Sequence, residues 1–179
     1  MLSPIGDGSP QADGRGRLIP PEILPLFDDT FVRSCQLIEE YVARLALESV
    51  RAAGLERACA DGATVDEAIE RAKLDPTAAR VPVAWLLRTL AARGWAERLT
   101  ADGDAARYRI GRALPAPDPE ELVAAQAAND ERCLPSYRIA ALAADADPSV
   151  LRGEITGEQA LFGPEGVVAW SKYFSNTNP

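Results

Sequence analysis

The side chains here that could carry chemistry are carboxylates, three cysteines and a group of aromatics close to the end of the sequence, with no histidine anywhere in the 179 residues. Without an imidazole to take a proton or bind an ion, Ser-His-Asp and Cys-His nucleophile systems and histidine metal sites are excluded. Cys35, Cys59 and Cys133 are odd in number, far apart and form no CxxC pair, so they read as reduced thiols buried as small apolar groups. Glu39-Glu40 and Glu120-Glu121 have the form of solvated helix faces, which gives a pair of acids no acid or base role. Asp145 and Asp147 could touch a metal, but their setting reads as a helix end. The glycines at Gly6, Gly8, Gly14 and Gly16 follow no strand and match neither the dinucleotide fingerprint nor the P-loop. No metal site or cofactor-binding residue is therefore expected in this chain, and its residue pattern names no catalytic group. An enzyme working alone through a carboxylate or a cysteine is a third-ranked reading.

The residues that are costly to expose lie from Leu161 to Phe174. Leu161, Phe162, Val167, Val168, Trp170, Tyr173 and Phe174 put large apolar groups where a chain normally frays. They imply burial, either against this domain or against something that faces it.

The elements that must position these groups are mostly helical. Residues 1–27 read as a flexible leader followed, from Leu18 to Leu26, by a proline-bearing extended arm. Asp28, Asp29 and Thr30 offer caps for a long helix reaching about Ala53, with an apolar stripe wide enough for more than one neighbour. A short helix near Leu55 to Ala60 follows. Thr64 with Glu67 has the form of a capping box, and Val83, Leu86, Leu87 and Leu90 mark one face of a second helix that stops at Gly94. Trp95, Leu99, Tyr108 and Ile110 around Asp102-Gly103 read as a hairpin. Helix, helix and hairpin over 64–110 make a winged helix. Pro115, Pro117 and Pro119 form a connector, and Asp118 begins a helix to about Asn129. Another is expected from Pro135 to Asp145, broken by Asp147-Pro148, and an aromatic helix from Pro164 to Phe174. The expected fold is a mostly α domain over 28–179, with the winged unit embedded in it and lid-like helices over 118–179.

The formal charge of −8 and the pI near 4.7 set a field that repels a phosphate backbone unless basic residues cluster on one face. A DNA reader would use Arg80, Arg88, Thr89 and Arg93 of the second helix, with Arg98, Arg107, Arg109 and Arg112 around the hairpin. Against this, that helix carries Trp85, Pro82 and much alanine, so nucleic acid is not the expected partner and a winged-helix transcription regulator is the alternative reading. No apolar run approaches the ~20 residues that span a bilayer, and no basic, apolar-cored leader is present, which points to a cytoplasmic protein without a membrane partner. The helix over 30–53 offers a face for a homodimer.

The line from Val150 through Leu151-Arg-Gly-Glu154 to Leu161-Phe-Gly163, followed by Tyr173-Phe-Ser-Asn-Thr-Asn-Pro179, resembles the end of the lid region in methyltransferase domains of modular polyketide synthases. The unit over 64–110, with Leu90-Ala-Ala-Arg-Gly94 and Tyr108-Arg-Ile110, is similar to the winged portion of that lid and also to the dimerisation domain of small-molecule O-methyltransferases. The resemblance covers about Asp28 to Pro179. It implies a non-catalytic, substrate-covering piece whose partners are a methyltransferase core domain and an acyl carrier protein bearing an acyl chain. The family holds S-adenosylmethionine on an Asp/Glu-x-Gly-x-Gly-x-Gly loop, which this sequence lacks, so the cofactor belongs to the implied core. Trp170, Tyr173, Phe174, Asn176 and Asn178 are the residues this resemblance assigns to the interface.

Overall fold

The Asp28 carboxylate accepts the Phe31 N–H at 2.8 Å and starts the longest helix of the molecule, α1 (Asp29–Ala52). The computed structural model describes residues 20–100, 106–111 and 113–175. Within them the fold is mostly helical, with one antiparallel two-stranded hairpin. Nine side chains of α1 are buried, in two sets that face different neighbours.

One set, on the second half of α1, belongs to the main core. Ala46, Leu47 and Val50 meet Leu55 of α2 (Leu55–Ala58), Ile69 of α3 (Val65–Ala72), and Val83, Leu86, Leu87 and Leu90 of α4 (Pro76–Ala92). The spacing on α4 is the one the sequence displays, and all four of those residues are buried. Both bonds of the Thr64–Glu67 capping box are present, at 3.2 and 3.0 Å. Asp75 caps α4 by accepting from Thr77 and Ala78, and Gly94, at φ 67°, makes the left-handed turn after it that a side chain would disfavour. The chain then enters β1 (Glu97–Arg98), which pairs with β2 (Tyr108–Arg109), and Ala63 bridges the far side of Tyr108. The Asp102-Gly103 turn lies outside the described residues.

The other set faces a second helical layer. α5 (Glu120–Asp130) lies antiparallel to α1, and α6 (Leu134–Leu151) runs parallel to it, as the pairs Thr30–Asn129, Ser34–Gln126 and Ser49–Asp147 show. The Tyr41 and Tyr137 rings pack against each other between them, tilted by 41° with centroids 4.5 Å apart. α7 (Gly157–Phe162) and α8 (Pro164–Ser175) then fold back over α6. A second capping box, Thr156 with Gln159, starts α7. The two layers are joined again at the far end of α6, where the Asp75 N–H donates to the Leu151 carbonyl at 2.9 Å.

Three expectations are corrected. α6 does not stop at Asp145: Pro148 sits inside it, and the helix runs on to Leu151. Proline removes the bond to the carbonyl four residues back, here Ala144, but burial of Leu151 in the main core holds the last turn in place. Asp118 does not cap α5; it takes a positive φ of 39°, and the helix begins two residues later at Glu120. The arm is not extended where it is described, since Pro20 to Phe27 coils through a turn into a 3-10 turn at Leu24–Leu26. The apolar stripe of α1 is largely covered within the chain, leaving Val32 as its exposed large apolar residue.

Gln126 is fully buried. Its amide donates to Ser34 Oγ at 3.0 Å and to the Asp130 carbonyl at 2.8 Å, and its Oε1 accepts the Tyr137 hydroxyl at 3.1 Å. Gln126→Leu keeps the volume and strands the Tyr137 hydroxyl, so it should cost about 2–4 kcal/mol in urea unfolding. The exposed change Glu121→Gln on the same helix should stay within ~0.5 kcal/mol of the parent.

Candidate docking face and apolar cleft

The aromatic residues singled out in the sequence gather on α7 and α8. Trp170 is the centre: its ring stacks on Phe162 (5.9 Å between centroids, 9°) and on Phe174 (5.6 Å, 23°), and meets Tyr173 edge-on at 5.7 Å. Trp170 is half-buried, whereas Phe174 is 75% exposed, Phe162 59%, and Val167 and Val168 more than half. A run of large apolar side chains this open is unusual on a surface facing only water. Asn176 and Asn178 lie outside the described residues.

The corner between α7 and α8 is fixed by close backbone approach. A Cβ at buried Gly166 would run into the Leu161 carbonyl oxygen. Among the described residues, the Trp170 indole nitrogen is the one buried side-chain polar atom with no hydrogen-bond partner. The face therefore presents apolar area, over an indole N–H that is buried beneath it without a partner.

A second feature was not assembled from the sequence. α1, α4 and α6 enclose a cleft of about 200 Å³, walled by Val42, Leu45, Pro82, Trp85, Leu86 and Ala144. Ser49 and Asp147 also line it, and the Ser49 hydroxyl donates to Asp147 Oδ2 at 2.6 Å. Burial pushes the Asp147 carboxyl above its ordinary range, against the opposing effect of that hydrogen bond. No ion pair to Asp147 occurs among the described residues. Trp85, 44% exposed, also borders a shallower cleft with Ile38, Glu39, Val42, Thr89 and Arg93. The signals in the sequence were Ser49, a polar residue inside the apolar stripe of α1, and Asp147, an acid inside an alanine-rich helix.

Of the arginines that a DNA reader would need, Arg80, Arg93, Arg107 and Arg109 are engaged with carboxylates of the protein itself, whereas Arg88 is exposed on α4. Arg93 is bonded to the Glu40 carboxylate and the Glu39 carbonyl; Arg107 reaches Glu67 at 2.9 Å and the Gly62 carbonyl at 3.1 Å; Arg109 reaches Glu97 at 2.5 Å. Arg80 stands 3.8 Å from Asp66. Burial alone would raise the Glu40 carboxyl, but the bonds from Arg44 and Arg93 outweigh it and lower it. Arg107 is the main cause of the lowered Glu67 carboxyl. Arg112 lies outside the described residues. The outer face of α4 carries exposed Val81 and Trp85 beside the exposed guanidinium groups of Arg80 and Arg88, a mixed surface rather than a continuous basic one.

The cysteines are free thiols. Burial pushes the Cys59 thiol up to about 11, which removes it as a nucleophile at neutral pH. No group of three or more metal-ligating side chains occurs among the described residues, and none of their helices is long and apolar enough to cross a membrane. No protein-family model, curated protein or solved structure matches the chain.

Because folding raises the Asp147 carboxyl, the folded state holds that proton more tightly than the unfolded one. Its contribution is most favourable below the ordinary value near 3.8 and is lost as pH rises through the raised value. Asp147→Asn keeps an acceptor for Ser49 and does not titrate. Its stability relative to the parent should therefore climb as pH goes from acid to neutral and then level off, as followed by urea melts at a series of pH values.

Proposed function

We propose that this chain is a helical covering and docking unit, the lid portion of a polyketide synthase methyltransferase that acts on acyl chains held by a carrier protein. The observation that carries the reading is the open aromatic face of α7 and α8, formed by the same segment whose sequence resembles the end of that lid. A surface built from Phe162, Val167, Val168 and Phe174 around Trp170 suits a permanent partner body, because protein interfaces put aromatics at their buried centre. In this reading the core domain is that body. The partner supplies S-adenosylmethionine and the methyl-transfer chemistry, and this chain supplies a wall over the substrate.

The order of α3, α4, β1 and β2, with Ala63 bridging Tyr108, supports reading 64–110 as a winged helix used for packing. The pairing of Arg93, Arg107 and Arg109 with carboxylates argues against using it on DNA, since a phosphate at these positions would have to displace Glu40, Glu67 or Glu97.

Isothermal titration of the chain with a polyketide synthase methyltransferase core, and separately with an acyl carrier protein, tests the proposal. Binding to the core is expected, weakened about tenfold or more by the pair Val168→Ser and Phe174→Ser with the far-UV dichroism unchanged. Absence of heat with both partners would overturn it.

A further inference from the structure

Asp147 poses a question that the docking reading leaves open. Asp147 is half-buried, and a carboxyl set partly into an apolar wall loses part of its solvation, which a cation or several donors ordinarily offset. Here the compensation is one serine hydroxyl, from Ser49. The surrounding charges do not supply the rest. Burial raises the Glu48 carboxyl on α1, and the nearby Asp145 of α6 raises it further; Arg51 opposes both effects on Glu48 and is itself committed to the Leu114 and Pro115 carbonyls. The chain as a whole carries a net charge of −8, which favours a cationic ligand over an anionic one.

The rest of the cleft matches one kind of ligand. Its walls are aliphatic, from Val42, Leu45, Leu86 and Ala144, with the half-exposed indole of Trp85 bordering it. An aromatic face and a carboxylate around an apolar space are the two groups that recognise an organic ammonium ion: the ring quadrupole attracts the positive charge, and the carboxylate makes a charge-assisted hydrogen bond. The volume, about 200 Å³, is below the ~300–1,000 Å³ of drug-sized sites, which limits the ligand to a small amine.

We infer that the cleft between α1, α4 and α6 is a binding site for a small apolar amine, whose ammonium group is held by Asp147 beside the Trp85 ring and whose hydrocarbon part lies against Val42, Leu45 and Leu86. Ser49 positions the carboxylate by donating to Oδ2, leaving Oδ1 for the ammonium. The Pro82 ring adds apolar surface on the α4 side. The site is separate from the α7–α8 face, so the docking reading and this one stand or fall independently.

Cyclohexylamine and its neutral counterpart cyclohexanol serve as probes, with the Trp85 indole N–H resonance of the 15N-labelled full chain as the reporter. The amine is expected to shift that resonance saturably and to bind about tenfold or more tightly than the alcohol. Asp147→Asn should bring the amine down to the level of the alcohol. Equal binding of the two probes to the parent chain would overturn the inference, as would a Trp85 resonance that neither probe moves. Undiminished amine binding by a folded Asp147→Asn would overturn it too. The comparison of amine with alcohol needs only the parent chain, so it decides the matter even where Asp147→Asn fails to fold. As a second check, Trp85→Leu should weaken the amine more than the alcohol by calorimetry; an equal loss for both counts against the cation's contact with the ring.

Discussion

The arrangement of the molecule turns on one buried amide. Gln126 sits where α1, α5 and α6 meet, and its side chain is bonded to each of the other two helices or to the turn that joins them. α5 is alanine-rich, and the apolar residues it contributes to the layer, Leu122 and Val123, are only partly buried, so apolar burial alone gives it a weak preference for one register on α1. A fully buried amide has a strong one, since sliding the helix by a residue would leave donors and acceptors unmet at a cost of about 1–3 kcal/mol each. The position of α6 follows from that of α5, and those of Asp147, α7 and α8 follow from α6. The aromatic face and the cleft therefore both depend on a side chain that belongs to neither.

The half built on α2, α3, α4 and the hairpin is held differently. Its core is largely aliphatic around the buried Tyr108 ring, and several of its surface arginines tie turns together. Arg71 donates to the Ala58 and Gly62 carbonyls, Arg107 to Gly62 and Glu67, and Arg93 joins α4 to α1 through Glu40. A chain with an excess of acids can use each guanidinium as a bridge inside the fold. Such a chain has little positive surface to offer a polyanion.

What could be read from the sequence is what depends on neighbours within one or two turns. The Thr64–Glu67 box, the apolar face of α4, the stop at Gly94 and the start of α1 at Asp28 all rest on such local signals, and each is present. The Thr156–Gln159 box carries the same signal and was legible in the same way. Pro148 misled because a proline rule describes an isolated helix, whereas burial of Leu151 decides whether the last turn forms. Asp118 looked like a cap by residue type, but the prolines around it set the backbone first. The aromatic face was legible in composition, and its exposure was not, because exposure depends on which side of α8 meets α6. The cleft brings together Ser49, Trp85 and Asp147, separated by dozens of residues, and no local pattern joins them.

The hydrogen bond between the Asp75 amide and the Leu151 carbonyl has a mechanical meaning. It fastens the last turn of α6, which carries α7 and α8, to the N-terminal cap of α4, which leads into the hairpin. α6 thus works as a strut pinned at both ends, by Gln126 through Tyr137 at one and by Asp75 at the other. A force applied to the aromatic face would travel along that strut into the start of α4 instead of being absorbed by a loose tail. Whatever grips α8 thereby also has leverage on the wall of α4 that borders the cleft.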